Sequence, residues 1–238
     1  MTRPRRALVI HHDANSDAGL VGRALDEHGI QRVEHFVCTE LDSPVAAGPF
    51  PPLDDVDLVV ALGSRWSVYD RASIGGWIDD ELELLRAADR PSIAVLGICF
   101  GAQALAAAHG GAVTAAPTPE VGWYQVESST DSIAGGPWFQ WHFDRFEVPP
   151  GAELLASSPA SPQVFRLRQN VGLQFHPELD RRLLELWMVN DRADIESAGL
   201  DPDRLLEETD RLAPLAWPHT RRLVDWFLDE VANASTAG

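Results

Sequence analysis

Cysteine is scarce in this chain: 238 residues hold two, Cys38 and Cys99. Two distant thiols build no disulfide framework, and such sparse use suits a reducing compartment, so a cytoplasmic location is expected. Positive charge is scarce as well, with 19 basic residues against 36 acidic ones and a net charge of −17. With a pI near 4.7, the chain offers no broad basic surface, which argues against nucleic-acid and anionic-membrane partners. Long apolar runs are missing too. The segment Met1 to Arg6 is basic, but the apolar run behind it stops at Ile10, too short for a signal peptide or a membrane span. There is no internal repeat and no linker long enough to split the chain. Nor is there a glycine-rich phosphate loop ending in Lys-Ser or Lys-Thr. Apolar residues make up 45% of the chain, ordinary for a globular protein, and one domain over residues 1–238 is expected.

Against these absences stands one stretch, Val95-Leu96-Gly97-Ile98-Cys99-Phe100-Gly101-Ala102-Gln103. The run Ile93 to Leu96 reads as a buried strand, and Ala102 to about His109 as an Ala-rich helix. Gly-x-Cys-x-Gly between them has the form of a nucleophile elbow with sulfur at its tip. The two glycines let strand and helix approach closely. The helix N-terminus favours negative charge on the sulfur. The elbow alone leaves two readings open: a reactive cysteine, or a buried core cysteine before a helix. A nucleophile needs a base, and the base an orienting group. Leu173-Gln174-Phe175-His176-Pro177-Glu178 supplies both. On extended chain His176 and Glu178 lean to the same side, so Glu178 can accept from one ring nitrogen while the other faces Cys99.

The order of elements reads as α/β. Ala7 to Ile10 and Val33 to Cys38 are strand candidates, Val56 to Leu62 and the elbow strand are buried-strand candidates, and helical stripes lie between them. Leu20, Val21, Ala24 and Leu25 form one stripe, capped by Asn15, Ser16 or Asp17 and closed by Gly29. Trp77, Ile78, Leu82 and Leu85 form another within Ile74 to Ala88, with Asp79, Asp80, Glu81 and Glu83 on its solvated face. His11-His12-Asp13 invites a metal, but adjacent side chains on extended backbone point apart and make a poor chelate. Cys38 reads as a small packed residue. Four prolines between residues 42 and 54 mark a surface loop, and Pro91 ends the connection into the elbow strand. Gly111 to Ala115, Gly122 to Glu127 and Trp138 to Val148 read as an antiparallel extension. Gln163 to Leu167 and Val171 to Phe175 read as a hairpin turning at Gln169-Asn170. Arg181 to Val189 is helical. Residues 190–214 form an added helical segment that either covers the site or meets a partner. Leu223 to Val231 make the last helix, and Ala232 to Gly238 a frayed tail. The result is a mainly parallel sheet with helices on both faces, whose ligands gather at the strands' carboxyl ends.

Gly97-Ile98-Cys99-Phe100-Gly101-Ala102-Gln103 together with Gln174-Phe175-His176-Pro177-Glu178 resembles the class I glutamine amidotransferase family. The likeness is strongest to the glutaminase domain of GMP synthase and its stand-alone relatives, over roughly residues 7 to 180. The resemblance implies a flavodoxin-like fold and a Cys99–His176–Glu178 triad without metal or organic cofactor. It also implies cleavage of the amide of glutamine, or of a γ-glutamyl compound, through a γ-glutamyl thioester. It places the oxyanion on the N–H groups of Ser64 and Phe100, and the substrate beside Gly63, Gln103 and His142. Two departures stand out. Ser64-Arg65 replaces the Gly-Pro of the family's Gly-Gly-Pro loop, and Phe143 replaces a glycine after His142. His142 is open to a pocket role or a packed structural one. With no synthetase motif here, an ammonia acceptor would lie on a separate synthetase subunit. The alternative is a stand-alone hydrolase of γ-glutamyl peptides or amines. A degenerate binding or regulatory module is the non-enzyme rival, and labelling of Cys99 discriminates it. An esterase-like α/β-hydrolase fits poorly, because its acid precedes its histidine in the chain.

Overall fold

In the computed structural model residues 4–89 and 93–233 are described. Pro91 and tail residues 234–238 lie outside them. The first five strands in space run parallel. They are β2 (Gln31–Phe36), β1 (Arg6–His11), β3 (Leu58–Ala61), β4 (Ala94–Ile98) and β9 (Asn170–Leu173). The sheet continues antiparallel through β8 (Pro162–Leu167), β7 (Glu153–Ser157), β5 (Val113–Ser128) and β6 (Gly136–Phe146).

Alternation along the central strands decides which face each helix covers. Ala7, Val9, Leu58, Val60 and Leu96 pack under α1 (Gly19–Glu27) and the C-terminal part of α7 (Pro202–Trp226). Leu8, Ile10, Val59, Ala61 and Val95 pack under α3 (Ile78–Ala88) and α4 (Phe100–Ala108). Both faces are sealed, so β3, β4 and β9 are buried along their whole length. A smaller cluster joins Phe139 of β6 to Leu183 and Leu184 of α5 (Arg181–Asn190) and Leu205 of α7. It ties the helical segment to the antiparallel end.

Several expectations shift at element level. The helix expected from Ile74 begins as a single turn, α2 (Arg71–Ile74), and restarts as α3 after Gly75-Gly76. The two strands expected at 111–115 and 122–127 are one strand, β5, with a register shift between Ala115 and Glu120. Strand β7 was not anticipated; its residues carry no clean alternation. The β8–β9 turn falls at Arg168, which adopts φ 58°, one residue before the expected turn. The segment from 190 divides into α6 (Arg192–Ser197) and the start of α7, which runs on into the expected last helix. The solvated face of α3 needs one correction. Asp79, Asp80 and Glu83 are exposed, but Glu81 is fully buried. Four residues before Leu85 and three after Ile78, it lies on the inward stripe. Among the described residues no helix is long and apolar enough to cross a membrane.

Candidate active site

The site grows from three adjacent parallel strands that end at one edge. β4 delivers Cys99 immediately after Ile98, and Cys99 adopts φ 52°, ψ −109°. That backbone is costly for any residue with a Cβ, and such strain concentrates at functional sites. Neighbouring strands hold it there. The Cys99 N–H donates to Leu173 O at the end of β9 (2.7 Å), and the Gly101 N–H donates to Leu62 O just past β3 (3.1 Å). A Cβ at Gly101 would fall 2.1 Å from Ala61 O, so glycine is required for helix α4 to sit this close to β3. The Cys99 thiol is 5% exposed and donates to Trp141 O at 3.7 Å.

β9 runs beside β4, so the three residues after it bring His176 to the same edge. Its loop is clamped by main-chain bonds from His176 N–H to Phe139 O (2.8 Å) and from Leu20 N–H to Glu178 O (2.8 Å). Thr220 Oγ1 donates to Pro177 O at 2.6 Å. His176 Nδ1 lies 2.7 Å from Glu178 Oε1. An ionised carboxylate only accepts, so Nδ1 carries the proton and Nε2 is the working nitrogen. His176 Nε2 and Glu178 Oε2 are buried without a protein hydrogen-bond partner. Burial pushes the His176 pKa down, but the negative charge of Glu178 and the neighbouring Cys99 outweigh it, and the pKa lies well above the usual 6.5.

Gly63 stands between the two reacting groups. A Cβ built there would lie 3.2 Å from His176 Cε1 and 3.7 Å from Cys99 Cβ. The loop it opens, Gly63-Ser64-Arg65, is fastened on several sides. The Gly63 carbonyl accepts from His12 Nδ1 (3.1 Å) and Ser16 Oγ (3.3 Å). Arg65 binds Leu41 O and the carboxylates of Asp42 and Asp191. Ser67 Oγ (2.5 Å) and Tyr69 Oη (2.7 Å) donate to Asp144.

These groups border one cleft that includes Cys99, His176, Glu178, Gly63, Ser64, Phe100, Gln103 and His142. All eight residues singled out from the sequence therefore meet there. Two of them spend polar atoms on the protein itself. Gln103 Nε2 donates to Asp144 O (3.2 Å) and Gln174 Oε1 (3.3 Å). His142 uses Nδ1 on Asp144 O (2.9 Å) and Nε2 on Glu120 (3.0 Å). Cys38 stays apart from the cleft; burial, then the charge of Asp13, pushes its thiol pKa up to about 11.

The segment from residue 190, expected either to cover the site or to meet a partner, brings Asp191 and Asp194 to the cleft; the sequence did not connect Trp187 with the site. Trp187 of α5 meets the His176 ring edge-on, with centroids 4.9 Å apart. Asp194 of α6 accepts from Trp141 Nε1 at 3.0 Å, and Asp191 takes Arg65. An aromatic stripe at helical spacing reads first as core, so nothing local marked Trp187 as a cleft residue. His11 and His12, the adjacent pair that invited a metal, turn to separate carboxylates, Glu34 and Glu81. Among the described residues no group of three or more potential ligands is arranged to hold a metal ion.

Comparison with known proteins gives a consistent result. The sequence profile of the family "Glutamine amidotransferase class-I" matches residues 54–193. A GMP synthase [glutamine-hydrolyzing] of Thermomicrobium roseum is 36% identical over 132 residues, 51% of this chain and 23% of that enzyme. The corresponding enzyme of Aeropyrum pernix is 34% identical over 191 residues, 72% of this chain and 33% of its own. The chain thus spans a third or less of these curated relatives. A crystal structure described as a glutamine amidotransferase of Thermotoga maritima superposes with a TM-score of 0.83 at 29% identity, covering 95% of this chain and 99% of that one.

Proposed function

Because this chain belongs to the class I glutamine amidotransferase family, we propose that it hydrolyses the side-chain amide of glutamine or of a γ-glutamyl compound, with Cys99 as nucleophile. The Cys99 thiol passes its proton to His176 Nε2, and the thiolate attacks the γ-carbonyl carbon. As the C–S bond forms, the carbonyl electron pair moves onto oxygen, which rests on the N–H groups of Ser64 and Phe100. Phe100 opens helix α4, so its N–H lacks an intrahelical partner and is fixed before charge develops. The His176 imidazolium gives the Nε2 proton to the leaving nitrogen, and the C–N bond breaks. Water then attacks the thioester, His176 takes its proton, and glutamate leaves as the Cys99 sulfur is released. Glu178 holds the ring in the tautomer this requires.

One observation carries the reading. A cysteine on a strained elbow and a buried imidazole with an unpartnered Nε2 flank the same glycine. The experiment is ammonia release from glutamine, followed by trapping with a glutamine-analogue chloroketone and mapping of the label. Label on Cys99 and loss of turnover in Cys99→Ala are expected. Label on Cys38, or full activity in Cys99→Ala, rejects the assignment.

Two versions of the reaction differ in what receives the nitrogen. The curated relatives are longer enzymes, which favours ammonia transfer to a synthetase partner on another chain. The cleft carries Asp13, Asp17, Asp191 and Asp194 against Arg65, which pairs with Asp191, while Asp17 pairs with Arg182; the remaining acidic balance, at Asp13 and Asp194, favours a γ-glutamyl amine whose leaving group is cationic. Turnover of glutamine that rises only with a second protein supports the first. Faster release of a γ-glutamyl diamine than of glutamine by the chain alone supports the second.

A further inference from the structure

The proposed reaction leaves one buried charged pair unused. His12, just past β1, and Glu81 of α3 are both fully buried. His12 Nε2 lies 3.0 and 3.1 Å from the two Glu81 oxygens, and Nδ1 lies 3.1 Å from Gly63 O. Both partners accept, so both ring nitrogens donate and the ring is an imidazolium. Burial opposes that charge, but Glu81 outweighs it and the His12 pKa is raised. Trp77 stacks on the ring, and Phe100 meets it edge-on at 4.6 Å. A buried ion pair generally stabilises a fold no better than apolar residues of the same volume, so its presence here points to another task.

Peptide geometry supplies that task. The Gly63 carbonyl and the Ser64 N–H belong to one peptide unit, and among the described residues no peptide bond is cis. In a trans peptide the C=O and N–H point to opposite sides. The carbonyl accepts from the buried His12 at 3.1 Å and from Ser16 Oγ, a longer bond of 3.3 Å, while Ser64 borders the cleft. We infer that His12, held by Glu81, is the positioning residue of the oxyanion loop: it fixes the Gly63 carbonyl and thereby aims the Ser64 N–H into the Cys99 cleft. The inference rests on the hydrolytic reading above. It also accounts for a loop that works with Ser64-Arg65, which lacks the φ restriction proline would bring.

The decisive variant is His12→Leu/Glu81→Met. It exchanges the charged pair for apolar side chains of similar size, so a purely structural role predicts a folded and fully active protein. The positioning role predicts a folded protein whose kcat on glutamine falls by roughly 10- to 100-fold, with KM changed by less than about threefold. Alkylation of Cys99 by chloroacetamide displaces chloride without forming an oxyanion, so its rate stays within about twofold of wild type. His12→Asn keeps a donor in the place of Nδ1 and retains kcat within about fivefold. A folded double variant with wild-type kcat overturns the inference, as does one in which alkylation slows as much as turnover. If the double variant does not fold, His12→Asn is compared with His12→Phe, which lacks a donor: a folded His12→Phe slowed more than about tenfold relative to His12→Asn supports the role, and equal kcat in the two folded variants overturns it. Wild-type turnover is measured first: its absence defeats the hydrolytic reading, whereas an active wild type with an active double variant defeats this inference alone.

Discussion

Cys99→Gly is expected to be more stable than Cys99→Ala, the reverse of the ordinary order for these two residues. At φ 52°, ψ −109° the elbow holds an L-residue in a conformation that costs on the order of 2 kcal/mol. The surroundings impose it, through the Cys99 N–H to Leu173 O at 2.7 Å and the Gln103 N–H to Cys99 O at 3.0 Å. Alanine keeps the Cβ and keeps the strain; glycine releases it. Glycine also loosens the unfolded chain, at a cost of about 0.4–1 kcal/mol. It removes one Cβ as well, but that atom borders an open cleft, so the loss stays below about 0.8 kcal/mol. The balance favours glycine by roughly 0.2–1.6 kcal/mol, or up to about 6 °C in melting temperature for a chain of this size. Urea unfolding followed by circular dichroism and tryptophan fluorescence measures it, with coincident transitions checking two-state behaviour. Ala104→Gly in the interior of α4, buried and free of strain, is the control and should lose about 1 kcal/mol or more. If Cys99→Gly falls below Cys99→Ala by a similar amount, the elbow stores no strain and the reasoning fails.

Glu178→Gln can present an amide N–H to His176 Nδ1 and so leave the ring proton on Nε2; kcat should drop by about a hundredfold or more with the fold intact, and a loss under about tenfold in steady-state assays contradicts the orienting role. Gly63→Ala places a Cβ 3.2 Å from His176 Cε1; the ring must yield a few tenths of an ångström against its Glu178 bond, and kcat should fall roughly tenfold while Cys99 remains fully labelled by iodoacetamide. His12 and His176 both have pKa values raised above 6.5. The folded state therefore binds more protons than the unfolded state, and their contribution is complete below about pH 6.5 and lost as pH rises through the raised values. Unfolding free energy from urea titrations should decline on the alkaline side of neutrality, and the decline should be shallower in His12→Leu/Glu81→Met; an unchanged slope in that variant removes His12 from the account.

Much of this protein was legible along the chain because its signals are local. Buried parallel strands announce themselves as short apolar runs, and the close approach of β3, β4 and α4 is written in Gly97 and Gly101. Cys99 and His176 were identifiable as partners because each motif needs only a handful of consecutive residues, and chemistry requires a base for every nucleophile. Their meeting has a simple physical basis: β4 and β9 are parallel neighbours, so both chains leave the sheet at one edge.

Tertiary structure alone decided the rest. Glu81 sits in an acidic helix where charge count points to solvent, yet it is buried, because the residue that accommodates it, His12, comes from the turn after β1, 69 positions away in sequence. The roof of the cleft likewise depends on Trp187, Asp191 and Asp194 packing against Trp141 and Arg65, contacts between segments whose own patterns describe only a helix. Periodicity tells a residue which way it faces on its own element; which partner waits on that side is settled only when the elements pack.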